Sequence, residues 1–334
     1  MDITYLLWLQ DIRLQFEGLL DPLFNVVSSV LVAPAALVLC CLLYWCVDKR
    51  AAWFSVTSFA IGTNLNQTIK DTFCVARPWI RSLEIHPSKA AIGGATSYSF
   101  PSGHTQTATS VFGAASWYFK DAARWLVPAA LTLIGLIGFS RNILGVHTPQ
   151  DVLAGFCVGV VSIWLGGKAL RWMEAATTPA WQVALTFCGV AAMLLVYTLA
   201  KPYPREGLAS MANVVAMQKD AFTSVGLLAG LGVSWWAEKA FVNFQIDRSN
   251  TKECVLRVIC GFGMIAFVWF CLLMPLKLLF AGGFIYKFAV GFLLSFTGLV
   301  VGPALSKKLY PLISGARDGA GEDTSTDDVN AARR

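Results

Sequence analysis

Nine stretches of this chain approach the roughly 20 apolar residues that a helix needs to cross a hydrocarbon core about 30 Å thick. They lie near residues 23–47, 52–73, 102–119, 124–144, 149–170, 181–200, 221–238, 256–279 and 283–306. Lipid offers the backbone no hydrogen bonds, so each such stretch must satisfy its own N–H and C=O groups, which an α-helix does. Composition agrees, since 14% of the 334 residues are charged, against about 25% in a typical soluble domain. The expected fold is all-α, a polytopic transmembrane helix bundle of about nine spans. The third and seventh stretches are diluted by small or hydroxyl residues such as Thr105, Thr107, Thr109 and Ser110. These suit helix-to-helix contact better than lipid contact, as do the pairs Gly155/Gly159 and Gly226/Gly230.

The ends differ from the middle. Over residues 1–22, Tyr5, Leu9, Ile12, Phe16 and Leu19 recur at helical spacing opposite Gln10, Asp11, Arg13 and Glu17. This predicts an amphipathic helix, lying in the membrane interface or packing on the bundle. Residues 311–334, rich in Gly, Ala, Asp and Thr, read as a disordered tail. Between them, 23–175 read as one transmembrane core and 176–310 as additional helices that either shape a substrate cleft or brace the core. A net charge of +6 would suit nucleic acid only if it gathered on one polar surface. The basic residues are instead dispersed between apolar runs, so the expected partner is the bilayer and not nucleic acid. With the N-terminus outside, connecting segments assigned to the inside hold more Lys and Arg, among them Lys49, Arg50, Lys120, Arg124, Lys307 and Lys308. The nine cysteines show no C-x2-C spacing and predict neither a disulfide framework nor a zinc site. No oligomeric state follows from the sequence.

Three polar blocks sit at the edges of these stretches, where charge is costly and invites a functional reading. The first contains Lys70 and Arg77, seven residues apart and so on one helix face, with Pro78 ending the helix. Taken singly, it reads equally as a pair of snorkelling interfacial cations. In the second, Ser97 to His104, a Pro101-Ser102-Gly103 turn enters a helix and presents backbone N–H groups and a hydroxyl to an anion. A plain N-cap with a polar histidine is the alternative. The third runs from Ser140-Arg141 to His147 and Asp151. Four residues apart, the carboxylate can accept from one imidazole nitrogen and leave the other as a free lone pair, the arrangement of a nucleophile or base. Two of the chain's three histidines lie in these blocks, and alternation of the spans puts all three blocks on one face.

In order, the patterns K-x6-R-P, P-S-G-H and S-R-x5-H-x3-D match the signature of the type 2 phosphatidic acid phosphatase superfamily, and the chain resembles that family over about residues 50–170. The resemblance implies a phosphatase acting on a lipid phosphate or lipid pyrophosphate through a phosphohistidine, with no metal and no other cofactor. His147 would be the nucleophile, Asp151 its orienting partner and His104 the general acid, with Lys70, Arg77, Ser102, Gly103 and Arg141 binding phosphate. The Lys and Arg count above puts the site on the extracytoplasmic face, and the expected membrane is the plasma (cytoplasmic) membrane. The third block looks most like the sphingosine-1-phosphate phosphatase branch, although Gly103 stands where that branch tends to have threonine. A glucose-6-phosphatase-like sugar phosphatase and a non-catalytic, anion-binding transporter subunit are the competing readings. Outside the signature, His86, Glu84 and Lys89 read as loop residues and Asp71 as a local charge trim. The connector 201–206 is either solvated or in contact with substrate.

Overall fold

The computed structural model describes residues 2–16, 19–95, 97–204, 211–246 and 250–314. A short N-terminal helix, α1 (Asp2–Gln15), precedes nine helical runs. These are α2 (Leu20–Val47), α3 (Lys49–Phe73), α4 (103–118), α5 (Leu126–Ile143), α6 (Pro149–Glu174), α7 (Ala180–Ala200), α8 (Met211–Ala237), α9 (Thr251–Leu279) and α10 (Phe284–Ile313). Each of the nine apolar stretches thus holds a helix among the described residues. Six of them, α2, α5, α6, α7, α9 and α10, are long and apolar enough to cross a membrane by length and composition. The protein is an all-α polytopic membrane protein.

The other three are less apolar because protein, not lipid, surrounds much of them. Helix α3 starts at Asp48, whose carboxylate accepts from the backbone of Arg50 and Ala51 at 2.9 Å, and it packs against α6, α8 and α4. Ser55, Thr57, Ser58, Asn64, Asn66, Gln67 and Lys70 on α3 are all buried. Asn64 and Gln67 donate to the carbonyls of Ser224 and Met217 at 2.9 Å, which ties α8 to the core. The small-residue pairs work as close-packing points: a Cβ at Gly155 would meet the Ser102 carbonyl, and one at Gly226 the Phe288 carbonyl.

Several boundaries move. Helix α8 begins ten residues before the expected 221, which makes Lys219 and Asp220 part of the helix. Helix α1 packs on the bundle and ends at Gln15, short of the expected 22. It buries Leu6 and Leu9 but also Arg13, assigned above to the polar face, which reaches the carbonyls of His86 and Leu144. Phe16 and Leu19, expected on the apolar face, are exposed. At the other end α10 continues helically to Ser314, into the stretch read as tail; residues 315–334 lie outside the described residues.

Candidate active site

Successive helices alternate in direction. Tyr118 at the end of α4 bonds Asp48, and Arg50 pairs with Glu174 at the end of α6, so these termini share one end of the bundle. The end of α3, the start of α4, the end of α5 and the start of α6 therefore meet at the other, and with them all three polar blocks.

His147 lies in the tight connection between α5 and α6, held by Asn142 donating to its carbonyl at 2.9 Å. The first turn of α6 is fixed by a capping box in which the Thr148 hydroxyl accepts from Asp151 N and the Asp151 carboxylate accepts from Thr148 N. That box aims the same carboxylate oxygen, Oδ2, at His147 Nδ1, 3.4 Å away. On the far side of the ring, Arg77 Nη1 stands 2.9 Å from Nε2. A guanidinium only donates, so the arrangement requires the tautomer with the proton on Nδ1 and the lone pair on Nε2. Burial, and then the charge of Arg77, hold the imidazole pKa well below the usual histidine range, against the opposing pull of Asp151.

The cations are placed by backbone carbonyls. Arg77 also donates to Ser97 O at 2.8 Å and Val146 O at 3.0 Å, and Lys70 donates to Tyr98 O at 2.8 Å. Burial lowers the Arg77 pKa to about 10, which leaves it charged near neutral pH. The Pro-Ser-Gly turn is anchored to α6 by Ser102 N donating to Asp151 O at 2.8 Å, and the Ser102 hydroxyl caps α4 through Thr105 N.

Lys70, Arg77, Gly103, His104 and His147 line one cavity of about 250 Å³. Ser102, Arg141 and Asp151 are buried and are not among the lining residues. Arg141 is buried, bonds the Ser28 hydroxyl of α2, and its Nε and Nη2 have no hydrogen-bond partner among the described residues. His86 is exposed and is not among the residues lining the cavity. Of the 201–206 connector, Lys201 bonds the carbonyls of Asp71 and Thr72, while 205 and 206 lie outside the described residues.

Residue patterns gave no role to four further side chains here. Ser99 donates to Asp151 Oδ2 at 2.6 Å and so helps fix the carboxylate. Asn66, Gln67 and Asp220 line the cavity itself. Asp220 carried one available signal, an acid on the edge of an apolar stretch. Chemically, the cavity offers a directed imidazole lone pair, a second imidazole, fixed cations and a helix-entry turn, a set suited to holding and transferring a phosphoryl group.

Residues 51–174 match the PAP2 superfamily. The chain is 28% identical over 160 residues to lipid phosphate phosphatase delta of Arabidopsis thaliana, covering 45% of this chain and 38% of that one. It is 33% identical over 98 residues to phosphatidylglycerophosphatase B of Bacillus subtilis (27% of this chain, 47% of the relative). Against undecaprenyl-diphosphatase of Sulfolobus acidocaldarius it is 31% identical over 116 residues (34% and 53%). The matches thus span about half or less of these relatives' lengths. No solved structure matches the chain.

Proposed function

We propose, for a chain whose residues 51–174 match the PAP2 superfamily, that it is an integral membrane phosphatase hydrolysing a lipid phosphate or lipid pyrophosphate through a phosphohistidine, without a metal. The observation that carries this reading is His147, with its Nε2 lone pair beside Arg77 in a cavity lined by cations. Nε2 attacks phosphorus as the bond to the leaving oxygen breaks, and His104 gives that oxygen its proton. Water then attacks the phosphohistidine, His104 takes the water's proton, and the N–P bond breaks to release phosphate and restore His147. Lys70, Arg77 and Arg141, with the N–H at Gly103 and the Ser102 hydroxyl of the helix-entry turn, meet the charge on the transferring group and so do the work that a divalent ion performs elsewhere. All three relatives carry names of phosphatases or diphosphatases, which supports the class.

The test is phosphate release from a lipid phosphate by purified protein in detergent, with and without a strong chelator. Activity should persist in chelator, and His147→Ala should abolish it. An acid-labile, base-stable phosphate trapped by rapid quench should map to His147. Loss of activity in chelator, restored by Mg²⁺, would overturn the metal-free mechanism.

A further inference from the structure

A second cavity, about 500 Å³, opens directly off the first. The two share Ala33, Thr63, Gln67, Thr107 and Asp220. Beyond that polar threshold the walls turn apolar: Phe59 and Val56 of α3 and Val111 of α4 face Leu227 of α8 and Val290 and Leu294 of α10. About half of the enclosure comes from α8 and α10, which follow residues 51–174, and a further share from α2, which precedes them.

Its depth follows from helix geometry. On α3 the lining runs from Gln67 back to Val56, and on α10 from Lys287 to Leu299. At 1.5 Å per residue both spans are about 17–18 Å. One leaflet of a bilayer whose core is about 30 Å thick is about 15 Å deep. The chamber thus starts at the phosphate site and runs along the helix axes to the depth a single leaflet's chains reach. Its volume lies in the roughly 300–1,000 Å³ range of small-molecule sites. Charged groups stay at the mouth, where Asp220 faces Lys70, Arg77 and Ser97 on the phosphate side and Lys287 on the other.

We infer that this chamber houses the hydrocarbon tail of the phosphate ester, and that α8 and α10 are thereby the part of the protein that selects substrates by tail. The inference rests on the phosphatase reading above. A tail arriving from the bilayer is already dry, so entering the chamber brings little hydrophobic gain; the selection is by length and shape. A soluble sugar phosphate has nothing to place there.

The experiment compares kcat/KM for hexadecyl phosphate and butyl phosphate, in wild type and in Leu294→Trp, which puts an indole into the chamber from α10. The hexadecyl-to-butyl ratio should fall roughly tenfold, the scale of a steric overpacking penalty. An unchanged ratio overturns the tail chamber, whereas a wild type that releases phosphate from neither ester overturns the phosphatase reading instead. A measurement on the wild type alone serves if the variant does not fold: a hexadecyl phosphonate carrying a diazirine at its far end is photolysed in the site. Labels on α8 or α10 residues lining the chamber, such as Leu227 or Leu299, support the inference. Labels confined to outward-facing residues, such as Leu185 or Phe270, overturn it.

Discussion

In the proposed mechanism His147 attacks only as the neutral imidazole, and its surroundings favour that form. The ordinary histidine pKa is about 6.5; burial and Arg77 lower it here, so loss of activity by protonation of His147 begins only below that pH. Because the Arg77 charge contributes to the lowering, Arg77→Gln should move the acid limb of kcat/KM upward, toward 6.5, besides reducing the rate. The substrate's own ionisation is common to both proteins, so a shift belongs to the enzyme; coincident limbs would exclude this control of His147. In the same proposal His104 protonates the leaving oxygen, a contribution of roughly 10²–10⁴-fold that shrinks as the leaving group improves. His104→Ala should lose most activity on an alkyl phosphate yet still release phenol from an activated aryl phosphate, and His147→Ala should do neither. The opposite pattern would reverse the two roles.

At the scale of the element, the site depends on how closely α6 approaches the Pro-Ser-Gly turn. Gly155 permits that approach, because a Cβ there would meet the Ser102 carbonyl, a backbone atom that no rotamer change can move aside. Gly155→Ala should therefore destabilise by about 1–3 kcal/mol and lower activity as the turn is displaced. Gly135→Ala on α5, where nothing lies within 4 Å, is the control and should be neutral or slightly stabilising. Thermal unfolding in detergent reads both; equal effects would show that the close approach does not matter. Helix α3 explains a second dependence. Its polar side chains suit a helix at the centre of the bundle, where Asn64 and Gln67 find carbonyls on α8, and the same bonds connect the catalytic core to the helices that follow it.

For the whole molecule, we propose that the site opens on the extracytoplasmic side, as nine alternating crossings and the distribution of Lys and Arg would put it, and a pair of probes tests it. In a cysteine-free background, Leu83→Cys on the exposed loop beside the site should react with an impermeant maleimide in intact cells, and Lys252→Cys at the opposite end only after permeabilisation. Equal reaction would refute the nine-crossing arrangement, and the reverse pattern would invert it. Much of this was legible in residue order. Apolar length alone dictates helices in lipid, so α2 to α10 could be located, and the fixed spacings around Lys70, Arg77, His104, His147 and Asp151 matched a family signature that implies a phosphoryl-transfer set. The helix expected to carry both Lys70 and Arg77 up to Pro78 ends instead at Phe73, with Cys74 left-handed and Pro78 opening a short helical turn, so Arg77 is placed by its bonds to the Ser97 and Val146 carbonyls. What sequence could not carry was anything set by contact between segments far apart in the chain. The inward turn of Arg13, the Arg77–His147 contact across 70 residues, the entry of Asp220 into the site and the chamber between core and C-terminal helices all depend on which helix faces meet. Periodicity within one helix marks an apolar face, but in lipid most faces are apolar, and only packing of the bundle decides which of them turn inward and what space they leave.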